Sequence, residues 1–146
     1  MEMTRRSAIA MGAGALLIAG LPIRVSAAAE DAIAAFTGGA EVGAGDITLT
    51  APEIAENGNT VPIAVSSGTA VEILVLAMGN PTPGVATFKF GKLAASRSAS
   101  TRIRLAGTQD VVAIAKMEDG SFAQASSTVK VTIGGCGGYR SLGEFI

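Results

Sequence analysis

The chain has 146 residues, one cysteine, and neither histidine nor tryptophan. The absence of histidine excludes a Ser–His–Asp triad and removes the commonest metal ligand, and a single cysteine cannot form an internal disulfide. With 11 basic and 12 acidic residues, the chain lacks the basic surface that nucleic-acid binding needs.

The first 29 residues have the features of a cleavable export signal. Arg5 and Arg6 precede an apolar stretch of 14 residues, 8–21, and small residues then run to Ala29. The paired arginines and the abundance of Ala and Gly favour the twin-arginine route over Sec, and the stretch is too short to span a membrane. We expect residues 1–29 to be removed and the mature protein to be periplasmic. Losing three arginines and one glutamate leaves 8 basic and 11 acidic residues, a net charge of about −3.

The remaining chain predicts one short helix followed by strands. Residues 28–36 have Ala and Ile at helical spacing, and two glycines follow. Strands are predicted at 46–51, 60–66, 71–77, 85–90, 98–106, 110–116 and 127–133. About seven short strands separated by turn signals predict an all-β, antiparallel, immunoglobulin-like β-sandwich, with one domain over residues 30–133.

Cys136 follows the last predicted strand and is flanked by four glycines. Glycine has no Cβ and loses the most entropy when it is ordered, so the run predicts a flexible arm, residues 134–138, that presents a thiol to another molecule. A flexible tail that happens to contain a cysteine is the alternative. The nearest basic residues are Lys130 and Arg140, so we expect the pKa of the thiol to stay near its ordinary value. The candidate site therefore consists of the thiol of Cys136, with no catalytic residue, and of the arm glycines Gly134, Gly135, Gly137 and Gly138.

Two blocks of the sequence resemble the SoxY family. The run from Val129 to Ile133, followed by the glycines around Cys136, looks like the C-terminus of that family, and the stretch from Phe36 to Ile63 is similar as well. The resemblance implies a periplasmic sulfur carrier of the thiosulfate-oxidising Sox system, which is not an enzyme and holds pathway intermediates covalently on Cys136.

The same resemblance implies the partners. They are a SoxZ-like subunit in a stable heterodimer and, transiently, a haem enzyme that couples thiosulfate, a manganese hydrolase that releases sulfate and, as a further candidate, a sulfane dehydrogenase. No cofactor is expected on this chain. No metal site is expected either, because no carboxylate cluster has the spacing of a metal site. Neither nucleic acid nor membrane is an expected partner.

Residues 139–146 depart from the family pattern, in which the chain normally stops at the second glycine pair. They are a cloning artefact, a readthrough of the stop codon or a native extension. A narrow pocket that accepts the arm as a free end would have to accommodate Tyr139 and the residues after it.

Two further surfaces are candidates for partner contact. The apolar stretch Val71–Ala77 is either a subunit interface or part of the core. A basic run is either a docking stripe for an acidic partner, in which Arg102 and Arg104 point the same way, or an ordinary solvated strand face. The run consists of Lys89, Lys92, Arg97, Arg102 and Arg104.

The alternative function is that of a periplasmic interaction module without catalysis, joined to another protein by a disulfide through Cys136. A thiol enzyme is the least favoured class, because no histidine or second cysteine is available to activate or resolve the thiol.

Overall fold

Two β-sheets pack face to face in residues 27–132, the part of the chain that the computed structural model describes. In chain order the elements are α1 (Ala27–Thr37), β1 (Val42–Gly43), β2 (Thr48–Thr50), β3 (Ile54–Ala55), β4 (Val61–Ser66), β5 (Ala70–Ala77), β6 (Gly84–Lys89), β7 (Ser98–Ile103), β8 (Gln109–Met117) and β9 (Phe122–Val131). The predicted helix and the all-β, immunoglobulin-like sandwich are confirmed, with seven strands as expected and two more, β1 and β3.

The larger sheet has the strand order β1-β9-β8-β5-β6, and the smaller sheet has the order β2-β4-β7. Their neighbouring strands are antiparallel, except that β1 pairs with the start of β9 in parallel. The end of β9 acquires a second parallel neighbour, β3, also over two residues. The sandwich is therefore antiparallel with two short parallel additions, both on β9.

The core between the sheets follows from alternation along the strands. In β4, Val61, Ile63 and Val65 are buried, and their side chains face the inner side of β5 and β8. Pro62 lies on the outer side of the same strand. It is tolerated there because β2 pairs only with residues 64–66 of β4, so β4 has one neighbouring strand at Pro62.

Strand β5 is buried on both faces. Ile73 and Val75 point into the core between the sheets, while Leu74 and Leu76 pack on the other face under α1. The helix is held there by apolar contacts that include the edge-on pair Phe36–Phe122, with ring centroids 5.8 Å apart. Burial within the chain thus accounts for the apolar character of the stretch Val71–Ala77.

The described part of α1 starts at Ala27, so the predicted domain boundary after Ala29 falls inside this helix. Ala29 is fully buried in the described structure. Cleavage after Ala27 would keep this contact, whereas cleavage after Ala29 would remove it. Residues 1–26, which contain the rest of the predicted export signal, lie outside the described residues.

Strand β9 is longer than predicted. It starts at Phe122, five residues before the expected Ser127, directly after a turn in which Gly120 has a φ of 85°.

The sandwich has two ends where loops connect the strands. We call the end with loops 67–69, 90–97 and 118–121 the hairpin end. The opposite end carries loops 56–60, 78–83 and 104–108 together with Thr132, and we call it the exit end.

Candidate functional site at the end of the last strand

The predicted attachment residue Cys136 and its four neighbouring glycines lie outside the described residues, as does the extension 139–146. The description ends at Thr132, two residues before Gly134. What the structure defines is therefore the root of the cysteine-containing segment, meaning the last residues of β9 and whatever holds them.

Three successive backbone N–H groups at the root are hydrogen-bonded. The amide of Lys130 donates to the carbonyl oxygen of Glu53 (2.9 Å), and that of Thr132 donates to the carbonyl oxygen of Ala55 (3.0 Å). Between them, the amide of Val131 points to the other side and donates to Oγ1 of Thr108 (3.0 Å). The strand is thus fixed from both sides up to the last described residue.

Side chains strengthen this anchor. Val129 is fully buried in the core, and Val131 packs against it from a half-buried position. The hydroxyl of Thr132 lies 3.4 Å from two carbonyl oxygens, those of Ala55 and Glu56. Val129 and Val131 thus lie on the inward face of the strand and Lys130 on the outward face.

A buried glutamine ties the loops of the exit end together. Gln109 accepts a hydrogen bond from the amide of Gly79 (2.8 Å) and donates to Oδ1 of Asn80 (2.9 Å) and to the carbonyl of Gly107 (3.1 Å). Asn80 in turn donates to the carbonyl of Arg104 (2.8 Å). Loops 78–83 and 104–108 therefore form one hydrogen-bonded unit next to the root.

The surface beside the root combines an exposed apolar side chain with three charged residues. Ile54 is 60% exposed and pairs in register with Lys130. Glu53 and Glu56 flank β3 and are exposed. Neither of the two ion pairs found in residues 27–132 involves these three charged residues. Sequence reasoning missed β3 because two residues carry no periodicity; the only signal was an isoleucine between two glutamates.

Two members of the candidate basic run are ion-paired within the chain. Lys89 lies 3.8 Å from Glu72, and Arg97 pairs with Glu118 at the hairpin end. Arg102 and Arg104 are exposed on either side of the buried Ile103, as the predicted alternation requires. Arg102 donates to the hydroxyl of Thr60 (3.4 Å), a contact within the chain.

No group of three or more metal-ligating side chains occurs in residues 27–132. Within the same range, no helix is both long and apolar enough to cross a membrane.

Fold and site together define a class of protein: an immunoglobulin-like sandwich whose last strand is firmly anchored and continues directly into a segment with the chain's one cysteine. The family model described as "Sulfur oxidation protein SoxY" matches residues 33–136, which include Cys136. The chain belongs to the SoxY family.

A solved structure agrees with this assignment. The chain is similar to the sulfur carrier protein SoxY from Chlorobium limicola f thiosulfatophilum, with 33% identity, a TM-score of 0.65, and coverage of 73% of this chain and 94% of that one. It also resembles a superoxide reductase (neelaredoxin) from Ignicoccus hospitalis, with 17% identity, a TM-score of 0.53, and coverage of 60% and 80%; this likeness concerns the fold alone. A search of the curated proteins found no match.

Proposed function

We propose that this chain is a periplasmic sulfur carrier that holds thiosulfate-derived intermediates covalently on Cys136 and passes them between enzymes. The observation that carries the proposal is a family match that runs through the cysteine, together with 33% identity to a sulfur carrier. The anchored root supports the proposal. The last strand is hydrogen-bonded up to Thr132, and glycines follow it in the sequence, so the thiol is attached to the rigid domain by a short tether.

Two chemical steps act on the proposed carrier. The thiol and thiosulfate join through a new S–S bond, while one proton is released and two electrons pass to a haem enzyme. Water then cleaves the bond between the outer sulfur and the sulfonate, which releases sulfate and a proton and leaves a persulfide on Cys136. The carrier supplies the sulfur atom and its position; the partner enzymes supply the redox and hydrolytic chemistry, so the chain itself is not an enzyme.

The proposed assembly includes a SoxZ-like subunit as a stable partner. Since residues 73–77 are buried within the chain, we propose that this subunit binds another surface. Export by the twin-arginine route, which carries folded proteins, would bring a partner without its own signal to the periplasm.

The test is the intact mass of the protein isolated from its host's periplasm, before and after reduction, with Cys136→Ser as control. Reducible thiosulfate or sulfane adducts that are absent from the variant are the expected result. The same mass identifies the mature N-terminus and so shows whether Ala29 is retained. A bare thiol, even with thiosulfate and periplasmic extract present, would contradict the proposal.

The alternative, an interaction module joined through a disulfide, predicts a different result from the same measurement. A protein-to-protein bridge through Cys136 would be lost on reduction, and the mass would fall to that of the separate chains. Deleting residues 139–146 distinguishes further: for a carrier, loading stays equal or improves, because the arm then has a free end. A large loss of sulfur loading in the deletion variant would show that the extension has a function.

A further inference from the structure

A groove with an apolar lining crosses the outer face of the smaller sheet, on the exit half of the sandwich and close to the root. We infer that this groove binds residues 139–146 of the same chain, and that docking closes the segment with Cys136 into a loop. The inference goes beyond the proposed function, because it assigns an intramolecular binding site to the domain whether or not the thiol carries sulfur.

The groove forms where β2 ends. Strand β2 pairs with β4 only as far as Thr50, opposite Ala64, and the chain then leaves the smaller sheet through Ala51 and Pro52 to pair with β9 as β3. Beside Pro62, β4 therefore has β7 as its one neighbour, and a groove of about 590 Å³ lies between the departing chain and the sheet. This volume is in the range of pockets that bind ligands.

The groove combines apolar side chains with one cation. Pro62 and Ala64 belong to the lining, and Arg102 lies opposite Pro62 on β7. Neither of the two ion pairs found in residues 27–132 involves Arg102, whose guanidinium contacts the hydroxyl of Thr60 at 3.4 Å. A matching occupant therefore carries apolar side chains and one carboxylate.

The extension 139–146 has this composition. Its eight residues include two aromatic and two aliphatic side chains, with Phe145 and Ile146 adjacent to each other. Its single acidic side chain belongs to Glu144, which can face Arg102 while Phe145 and Ile146 contact the apolar lining.

The tether is long enough for this docking. The amide of Thr132 is bonded to the carbonyl oxygen of Ala55 (3.0 Å), and Pro52, which lines the groove, precedes Ala55 by three residues, at most roughly 11 Å of chain. Tyr139 follows Thr132 by seven residues, or roughly 23–25 Å when extended at about 3.3–3.6 Å per residue. A segment on such a short linker has an effective concentration in the mM range, so weak contacts suffice to dock it.

The size of the groove favours a peptide segment over a subunit. A stable interface takes about 20–30 residues from each partner, whereas nine residues line the groove. One short segment matches this footprint, and the extension is joined to the domain at the nearer end. Docking would hold the segment with Cys136 at both ends, so an enzyme that accepts a free chain end would meet a loop instead.

The first test is a disulfide between groove and extension, in a Cys136→Ser background so that no other thiol is present. Ser100 lines the groove and is exposed, and Ser141→Cys leaves the apolar side chains of the extension unchanged. Under mild oxidation, Ser141→Cys should form a bridge with Ser100→Cys at least about fivefold faster than with Thr87→Cys, an exposed control position on β6, because docking raises the effective concentration of one thiol at the other. Equal rates would overturn the inference.

Further substitutions test the chemistry of the contact. Phe145→Ser should slow the bridge at Ser100 to the rate of the Thr87 control; an unchanged rate would show that the bridge forms without docking and would overturn the inference. Arg102→Glu and Glu144→Arg should each slow the bridge, and the double variant should recover most of the original rate, because opposite charges face each other again. A double variant as slow as the single ones would contradict the assigned ion pair.

The effect on the thiol is measured in the full chain with Cys136 present and a bulky maleimide as the probe. Docked molecules react more slowly, because the loop lies against the domain. With an effective concentration and a dissociation constant that are both on the order of 1 mM, about half of the molecules are docked, so Phe145→Ser should raise the labelling rate about twofold. Leu93→Ser, at a position that is exposed at the hairpin end, is the control and should leave the rate unchanged. Equal rates for Phe145→Ser and wild type would contradict closure of the loop.

A permanent partner in the groove gives a different result, as does failure of the carrier function. Ser100→Arg fills the groove at an exposed position and should leave the native mass of the protein isolated from its host unchanged. Loss of a stable subunit or of a second copy would assign the groove to that partner and overturn the inference. Failure of the carrier function would appear as a bare thiol on Cys136 and would leave the bridge rates unchanged, since these are measured without that thiol.

Discussion

At the hairpin end the carboxylates have partners within the chain, whereas at the exit end Glu53 and Glu56 have none among the described residues. Asp46 accepts a hydrogen bond from the amide of Gly68 (2.7 Å), and Glu118 forms an ion pair with Arg97. These two carboxylates and Asp119 line a cavity of about 440 Å³ at the hairpin end.

The third of them, Asp119, organises the turn before β9. Its Oδ1 accepts hydrogen bonds from the hydroxyl (2.6 Å) and the amide (2.8 Å) of Ser121. Acidic residues at the hairpin end thus stabilise loops, while Glu53 and Glu56 are exposed and form no ion pair within residues 27–132. The difference teaches that acidic side chains at one end of this sandwich serve its fold, whereas those at the other end are exposed to solvent.

The largest expected difference between the ends concerns stability. Gln109→Ala should lower the free energy of unfolding by about 2–3 kcal/mol, because it leaves the amide of Gly79 and groups of Asn80 without their partners in a partly buried network. The hairpin-end counterpart, Glu118→Gln, should cost less than about 1 kcal/mol, since it weakens an ion pair whose Glu118 side chain is 59% exposed. Urea unfolding of both variants provides the comparison, and equal losses would contradict it.

A smaller effect is expected at the root itself. Thr108→Val keeps the side-chain shape but removes the oxygen that accepts a hydrogen bond from the amide of Val131. The loss in global stability should be about 0.5–1 kcal/mol, because the bond is exposed and water can replace it. Hydrogen exchange should become faster at the amide of Val131 and remain unchanged at Ser121, at the hairpin end. Unchanged exchange at Val131 would mean that this bond does not hold the strand in solution.

The smallest effect concerns pH. The hydroxyl of Ser121, followed by its amide, lowers the pKa of Asp119 below the ordinary aspartate value. A lowered pKa means that the folded state holds this proton less tightly than the unfolded state. The contribution of Asp119 is therefore present above the ordinary aspartate range and is lost as the pH falls through and below it. The stability difference between wild type and Asp119→Asn should shrink between about pH 6 and about pH 3. A difference that does not change with pH would show that the charge contributes nothing to the turn.

Much of the fold could be predicted from the sequence because its long strands have clear patterns. Residues 61–66 alternate, residues 70–77 form an apolar run, and glycine or proline turns separate them. The start of β9 could not be predicted. Its first residues, Phe-Ala-Gln-Ala-Ser, include alanine, which is depleted in strands, and form a strand because β8 pairs with them.

For the site, the sequence by itself determined the candidate attachment residue, since one cysteine among four glycines has few other uses, and the resemblance on those residues named the family that the family match confirmed. Only the tertiary structure decided what surrounds the root. The parallel pairing of β3 with β9 joins residues 76 positions apart, and the contact of Thr108 with Val131 joins residues 23 positions apart. Such contacts depend on how strands far apart in the chain come together, and no local pattern of two residues encodes them.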